Sequence, residues 1–288
     1  MSARAKQGSN WRGLISSTWV NAVLLIACVL AIYPYLVMLF GGFKSSAELT
    51  TNPGGPPLQP TVENFTILFT GPAGAVMWRS LVNSLIVTAS YTVLTVAFCA
   101  MAGYGFAKYR FPGRDIIFAL LIASMLIPIE VNIPGLYLLF ANVGWLDTYQ
   151  VQIFPGTASV LGMFLARQYM RGIPDEVLDA ARVDGAGHWA TFLRIAMPMS
   201  TPVLGAIAVL TFVYKWSDYL WPTVMVNSVQ FQPVMVTLPG LSSTASGFII
   251  RYEILLAGAL VITVPLLIAF ARFQKALTSG SLVGALRG

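Results

Sequence analysis

Three ionisable side chains, Glu130, Lys215 and Asp218, fall inside otherwise apolar stretches of this 288-residue chain. A charge at the centre of a bilayer costs roughly 2.5–3.5 kcal/mol on insertion scales, so such groups are expected to face a bundle interior or a water-filled cavity. Lys215 and Asp218 are three residues apart, on one helical face, which predicts an ion pair. These groups are suited to three kinds of chemistry: contact with a passing solute, an ion or proton site, or a pair of catalytic acids.

Polar and aromatic residues accompany the charged groups along the chain. Aromatic rings suit stacking against sugar rings, but they also form belts at membrane interfaces. Lys215 and Asp218 can likewise simply neutralise each other, so a solute path and a structural use both stay open. The candidates for contact with a solute are Glu130, Asn132, Lys215, Trp216, Asp218 and Tyr219, with Trp221 as further aromatic surface.

The sequence argues against histidine-based metal or nucleophile chemistry, because His188 is its single histidine. It also has no phosphate-binding loop of the Gly-x-x-x-x-Gly-Lys-Ser/Thr type, so any ATP must be hydrolysed by a separate subunit. Cys28 and Cys99 lie in apolar stretches and predict no disulfide framework. The apolar run around Cys28 continues to Phe40, which favours an uncleaved span over a lipoprotein signal. We predict no catalytic residue, no metal site and no cofactor bound by this chain.

The composition indicates that lipid covers most of the chain. Hydrophobic residues make up 57% and charged residues 10%, with a mean hydropathy of +0.74, whereas soluble domains carry about 25% charged residues. Six apolar stretches have roughly the length that spans a bilayer, although the third and fifth contain charges, the third contains Pro128 and Pro134, and Pro155 interrupts the short fourth. They cover residues 19–40, 81–106, 116–140, 149–166, 202–226 and 254–271.

The basic residues set the orientation. Thirteen of the 17 lysines and arginines lie on one side of the predicted topology, which the positive-inside rule places in the cytoplasm. We therefore predict an all-α polytopic membrane protein with six transmembrane helices and both termini cytoplasmic. Its parts are a cytoplasmic N-terminal segment (1–18), a transmembrane domain (19–276) and a cytoplasmic C-terminal tail (277–288). The net charge of +6 follows from this asymmetry and requires no nucleic acid.

The longest cytoplasmic connection, residues 167–201, carries signals for two short helices. Pro174 and the two acidic residues after it suit the first turn of a helix. Gly185 suits its C-terminal cap, and a second helix can run from residue 188 until Pro198 stops it. A simple connection needs only a few residues, so this segment indicates a docking element.

The same segment carries a motif. Asp179-Ala180-Ala181, Gly185 and Ile195-Ala196-Met197-Pro198 resemble the EAA loop of ABC-importer permeases. That loop reads Glu-Ala-Ala, three residues, Gly, nine residues and Ile-x-Leu-Pro, and only Asp179 and Met197 depart from it. The likeness extends over nearly the whole chain and is similar to the second permease of maltose-type carbohydrate importers. Its other parts are Phe43-Lys44-Ser45, Asn83-Ser84, Tyr104-Gly105-Phe106-Ala107-Lys108 and the run 216–222.

The resemblance implies the type I ABC importer permease fold and a multi-pass position in the bacterial inner membrane. It also implies that residues 174–198, called here the EAA segment, couple this chain to an ATPase. The implied partners are a second permease, two ATP-binding cassette subunits that use ATP and Mg, and an extracytoplasmic solute-binding protein. The implied coupling residues are Asp179, Ala180, Ala181, Asp184, Gly185, Ile195 and Pro198.

Two other classes stay open. An ion-coupled secondary transporter would use Glu130 or Asp218 as its ion site, and an intramembrane enzyme would use them as an acidic pair. Neither class needs the spacing of the EAA segment. The sequence does not distinguish a simple sugar, an oligosaccharide or a glycerol phosphodiester as the solute.

Overall fold

The computed structural model describes residues 10–243 and 250–278, which are helical apart from turns and one isolated antiparallel bridge between Ser243 and Ile250. A π-helical turn, Phe192–Ala196, joins two of the helices. The helices are α1 (Asn10–Gly42), α2 (Ser46–Thr51), α3 (Glu63–Phe69), α4 (Gly71–Lys108), α5 (Arg114–Ser124), α6 (Ile129–Asn142), α7 (Tyr149–Ile153), α8 (Val160–Met170), α9 (Asp175–Val183), α10 (His188–Thr191), α11 (Met197–Met199), α12 (Thr201–Trp216), α13 (Leu220–Met225), α14 (Val234–Leu241) and α15 (Tyr252–Thr278).

The all-α class is confirmed. Within the described part of the chain, three helical stretches are each long and apolar enough to cross a membrane: Trp19–Gly42, Gly71–Lys108 and Tyr252–Ala271. The count rises to five if each of two sharply bent helix pairs forms one span. The predicted number of six spans and the cytoplasmic position of both termini stay predictions. Most of the predicted tail, residues 279–288, lies outside the described residues.

The two bent pairs correspond to predicted spans three and five. Helices α5 and α6 meet at 96°, and Pro128 stands at the N-cap of α6. The segment His188–Met199 meets α12 at 76°, and a proline follows at the start of α12. Proline removes a backbone donor and disfavours helical geometry at the preceding residue, so both bends fall where the chain cannot continue a straight helix.

Predicted spans four and five are both interrupted; Pro155 marked the break in span four, whereas the sequence did not show the break in span five. Span four consists of α7 and α8, separated by a turn that contains Pro155 and Gly156, whose φ is 86°. Span five ends as α12 at Trp216 and resumes as α13 at Leu220. Irregular backbone at membrane depth is tolerated only where it is buried in protein or lines a cavity. The breaks are therefore informative about function.

The described residues form two compact units. The first takes in the residues up to Leu68 and from Ser242 to Leu260. Within it, Lys44 is fully buried and its Nζ donates to the carbonyl oxygens of Asn52 (2.5 Å) and Gly55 (2.6 Å). The amide of Asn64 donates to the carbonyl of Lys44 at 2.8 Å. Two backbone carbonyls of the loop thus satisfy the buried ammonium, which explains Lys44 of the Phe43-Lys44-Ser45 motif as a structural feature of the loop.

The second unit is built around α4, α8 and α12. Its main core cluster includes Cys99, Ala166 and Ile207, one residue from each of these helices. Gly103 of α4 packs directly on α8: a Cβ added there would lie 2.9 Å from the backbone nitrogen of Arg167. Small residues at such contacts let helix backbones approach closely, which drives packing in a membrane where lipid is as apolar as the helix surface.

Candidate functional site

The EAA segment folds as the sequence predicts, as two short helices around a glycine. Helix α9 starts directly after Pro174, and Gly185 follows its last residues with a φ of 87°. The N–H of Gly185 bonds to the carbonyl of Arg182 (3.0 Å) and that of Ala186 to the carbonyl of Ala181 (2.9 Å). This pair of bonds is a Schellman cap, which requires a left-handed residue. A Cβ at Gly185 would meet no atom within 4 Å, so the glycine is needed for its backbone conformation and not for space.

One face of the EAA segment is anchored in the core of the second unit. Leu178, Phe192 and Ala196 are buried in the same cluster as the residues of α4, α8 and α12. The other face is open: Val183 is 87% exposed and Trp189 66% exposed. Trp189 packs against the ring of Phe192 (centroids 6.0 Å apart) yet keeps most of its surface exposed. Two large apolar side chains exposed on a charged segment are typical of a surface that a partner covers.

The predicted coupling residues fall on both faces. Asp179 pairs with Arg182 at 2.8 Å across one turn of α9. Ile195 is half-buried and packs against the core. The exposed members of the predicted set are Asp179, Ala180, Asp184, Gly185 and Pro198, while Ala181 is half-buried.

The end of α4 contacts both halves of the EAA segment. Lys108, with only 6% of its side chain exposed, pairs with Asp175 at 2.7 Å and also donates to the carbonyl of Ile173. The next residue, Tyr109, shares a hydrogen bond of 3.0 Å with Nδ1 of His188. The hydrogen bond from Lys108 and its charge lower the pKa of the Asp175 carboxyl, which favours the ionised form of that carboxyl. In the sequence Lys108 is only part of a motif, and its contacts become visible in the structure.

A second candidate site is a cavity of about 640 Å³ where the breaks in predicted spans four and five meet α4 and α6. We call it the Glu130 cavity. Its lining is mainly aromatic and apolar, with a few convergent polar groups, which is the usual character of a small-molecule site. The lining residues used below are Tyr91, Glu130, Phe140, Tyr214, Lys215, Ser217, Asp218, Tyr219 and Trp221.

The predicted ion pair is present in this cavity. Lys215 Nζ lies 2.9 Å from Asp218 Oδ2, and the two side chains are 6% and 12% exposed. The same ammonium stands 5.0 Å from the ring centroid of Tyr91. The other oxygen of Asp218 accepts the N–H of Trp221 at 3.3 Å, so the aspartate also holds the start of α13. The pair therefore connects the two pieces of a broken span.

The structure places four of the six predicted path residues in the Glu130 cavity and two outside it. Glu130, Lys215, Asp218 and Tyr219 line the one cavity. Trp216 does not: it is buried, and its indole N–H donates to the carbonyl of Ile262 at 3.0 Å. Asn132 is exposed and does not line the cavity. A helix turns about 100° per residue, so neighbours of a cavity-facing residue face elsewhere. Sequence reasoning also missed Tyr91 and Tyr214, which carry no signal beyond being polar aromatics in apolar runs.

The Asn83-Ser84 motif has a structural explanation. Asn83 Nδ2 donates to the carbonyls of Gln230 (2.9 Å) and Gln232 (3.0 Å), and Ser84 Oγ accepts the N–H of Val234 at 2.8 Å. Tyr149 donates to the side-chain oxygen of Asn83 at 2.7 Å. These bonds attach the irregular chain before α14 to α4.

In the described ranges, no cluster of three or more His, Cys, Asp or Glu residues is suited to a metal ion.

Lys215→Met is expected to destabilise the chain by about 3–5 kcal/mol, because it leaves the buried carboxylate of Asp218 without its counter-charge. Lys215→Met combined with Asp218→Asn removes both charges and keeps an oxygen for the N–H of Trp221. The double variant should therefore recover most of the loss. Thermal unfolding of the purified protein in lipid nanodiscs measures both. A double variant no more stable than Lys215→Met would contradict the pairing.

These features define a class: an all-helical protein with helices able to span a membrane, a two-helix EAA segment and a cavity at the breaks of two predicted spans. Comparison with known proteins agrees. Residues 95–281 match the family described as binding-protein-dependent transport system inner membrane component. The chain belongs to this family, and it is a permease subunit of an inner-membrane ABC importer.

Characterised relatives align over almost their full length. The arabinooligosaccharides transport system permease protein AraQ of Bacillus subtilis (strain 168) is 36% identical, with 92% of this chain and 93% of the relative covered. The diacetylchitobiose uptake system permease protein NgcG of Streptomyces coelicolor (strain ATCC BAA-471 / A3(2) / M145) is 30% identical, covering 99% and 93%. A crystal structure of a bacterial ABC transporter involved in the import of the acidic polysaccharide alginate contains a chain with a TM-score of 0.79 at 20% identity. That match covers 95% of this chain and 99% of the other, and it confirms the predicted fold.

Proposed function

We propose that this chain forms half of the translocation path of a carbohydrate importer, beside a second permease, and that its EAA segment docks on an ATP-binding cassette subunit. The observation that carries the proposal is the two-faced EAA segment. One face is anchored through Leu178 and Phe192, and the other presents Val183 and Trp189 to a partner. The relatives named for arabinooligosaccharides and diacetylchitobiose support a carbohydrate as the solute.

The contacts of the EAA segment with α4 suggest how a movement of the ATPase reaches the cavity. An extracytoplasmic binding protein delivers the solute, and closure of the paired ATPase subunits displaces the EAA segment. Because Lys108 and Tyr109 hold both halves of that segment, the displacement passes into α4. Tyr91 is on the same helix, 17 residues from Lys108 or about 25 Å along the axis, and it lines the Glu130 cavity. Movement of α4 thereby changes the cavity, and ATP hydrolysis resets it. The chain itself binds no ATP or Mg in this scheme.

The cavity contributes to the solute path through four of the predicted residues, Glu130, Lys215, Asp218 and Tyr219. Asn132 and Trp216 lie outside the cavity, and we propose no solute contact for them. The ion-coupled alternative is not favoured, because the chain belongs to a family of binding-protein-dependent permeases and Asp218, one of its two candidate ion sites, is paired with Lys215.

The test is uptake into proteoliposomes that contain this chain, its partner permease and the ATPase subunits, with the binding protein outside and ATP inside. Accumulation of radiolabelled oligosaccharide that needs both ATP and the binding protein is the expected result. Uptake that proceeds without ATP and follows an imposed ion gradient would refute the proposal. Omission of the binding protein is the matched control.

A further inference from the structure

Three arginines gather around one carboxylate where α5 begins and α8 ends. Arg114 pairs with Asp115 at 3.0 Å, and the guanidinium of Arg167 lies 3.6 Å from the same carboxylate. Arg171, the C-cap residue of α8, follows Arg167 by one turn, and its charge acts on both Asp115 and Arg167. In the described part of the chain, Asp115 is the only carboxylate that pairs with any of these arginines. The arginine cluster (Arg114, Arg167 and Arg171) therefore keeps an excess of positive charge.

Two members of the arginine cluster are held in place by the surrounding structure. The guanidinium of Arg167 stands 3.9 Å from the ring centroid of Phe118, and its Nε donates to the carbonyl of Phe106 at 3.3 Å. Arg114 donates to the carbonyl of Tyr109, also at 3.3 Å. Both contacts fix the end of α4. A guanidinium that is already fixed loses little conformational freedom when it binds an anion, so the cluster is organised before any ligand arrives.

An apolar surface continues from the arginine cluster along α5. Ile116 and, one turn further on, Leu120 are exposed, and Arg171 is exposed as well. Helix α5 is the first half of predicted span three, and the positive-inside rule places its charged start on the cytoplasmic side. A ligand with an anionic head and an apolar tail would match both surfaces. A soluble anion would match only the arginines, and an apolar helix of a partner would leave their charge uncompensated.

We propose that the arginine cluster binds one anionic phospholipid, with the phosphodiester on Arg167 and Arg171 and an acyl chain along the exposed face of α5. Guanidinium groups bind phosphate oxygens through charge-assisted hydrogen bonds, often two at a time. Basic clusters at the cytoplasmic ends of membrane helices recognise lipid headgroups in this way. The site adjoins the end of α4 that contacts the EAA segment, so the bound lipid stabilises the place where those two elements meet.

Photo-crosslinking tests the site directly. The complete importer, with benzoylphenylalanine in place of the exposed Leu120, is reconstituted into vesicles of equal parts phosphatidylglycerol and phosphatidylcholine. Mass spectrometry then identifies the molecule attached at position 120. We expect phosphatidylglycerol to be attached about fivefold more often than phosphatidylcholine, which is the factor that one basic residue near a membrane surface contributes.

Three variants assign that preference to the arginine cluster. Arg171→Gln should lower the preference several-fold, and Arg171→Lys, which keeps the charge, should retain most of it. Arg171 is exposed and forms no ion pair within the described residues, so neither change should disturb folding. Arg110→Gln is the matched control and should leave the preference unchanged, because Arg110 is also exposed but its charge acts on Asp175 and not on Asp115.

Equal attachment of the two lipids to the importer with intact arginines would overturn the proposal. A preference that Arg171→Gln does not alter, or that Arg110→Gln lowers equally, would do the same. Attachment of a peptide from another subunit in place of lipid would show that protein covers this face and would also overturn the proposal. Excess inorganic phosphate at constant ionic strength distinguishes the two sources of phosphate. A lipid site keeps its preference, whereas loss of the preference would assign the cluster to the free anion.

Discussion

Replacement of Gly185 by aspartate is expected to abolish ATP-driven uptake while leaving the chain inserted in the membrane. Gly185 has a φ of 87°, where an L-residue costs about 1–2 kcal/mol. The substitution also adds a carboxylate next to Asp184 on the exposed surface of the EAA segment. Strain at the Schellman cap changes the angle between α9 and α10, and the added charge changes the docking surface. Uptake and ATP hydrolysis by the reconstituted importer measure the effect.

Two alanine variants distinguish the effect of backbone strain at residue 185 from the effect of the added carboxylate. Gly185→Ala adds only strain, and we expect it to reduce uptake less than Gly185→Asp. Gly187 lies two residues away with an ordinary φ of −69° and open space around it, so Gly187→Ala should behave nearly as the unmodified chain. Normal uptake by Gly185→Asp would refute the coupling role. An equal defect in Gly187→Ala would show general sensitivity of the loop and not a requirement for the left-handed cap.

Replacement of Lys108 by methionine is expected to lower the solute transported per ATP hydrolysed by about tenfold, within the usual range of coupling free energies. The variant removes the contacts of Lys108 with Asp175 and with the carbonyl of Ile173, which join α4 to the start of α9. Asp175 is 76% exposed in its side chain and remains hydrated, so folding should be little affected. The measurement is the ratio of uptake to ATP hydrolysis, with thermal stability recorded alongside.

The controls use the neighbouring basic residue and a conservative replacement. Arg110 is exposed and two residues further on, so Arg110→Met removes the same charge from the same surface without breaking the contacts of Lys108. Lys108→Arg keeps the charge and should restore part of the ratio. A Lys108→Met variant with an unchanged ratio would mean that α4 does not transmit the movement. A matching loss in Arg110→Met would assign the effect to surface charge alone.

The EAA segment was predictable almost residue by residue. Proline at the start of a helix, acids in the first turn and glycine at the C-terminal cap are local signals, because each acts on backbone groups within one turn. The structure confirms both short helices and the cap at Gly185. The second helix differs in detail, since it passes through the π-helical turn Phe192–Ala196 and continues through Pro198 to Met199.

The Glu130 cavity was predictable only in part. Charges in apolar stretches identified Glu130, Lys215 and Asp218, and the spacing of the last two predicted their ion pair, which the structure confirms. The sequence did not show which of the nearby aromatic residues line the cavity. Trp216 and Trp221 lie in one short run, yet the first bonds to Ile262 behind the cavity and the second lines it. The helix is interrupted between α12 and α13, so a period of 3.6 does not carry from Trp216 to Trp221.

The sequence by itself indicated that lipid surrounds most of the chain, that the fold is all-helical, which family the chain belongs to, and where the EAA segment lies that we propose docks on the ATPase. All of these depend on composition or on contacts between residues near one another in the chain. Only the tertiary structure decided that Lys108 and Tyr109 hold Asp175 and His188, 67 and 79 residues away, and that Tyr91 lies over Lys215. Such contacts arise from packing between helices in lipid, where no hydrophobic period in the sequence specifies which helix faces which.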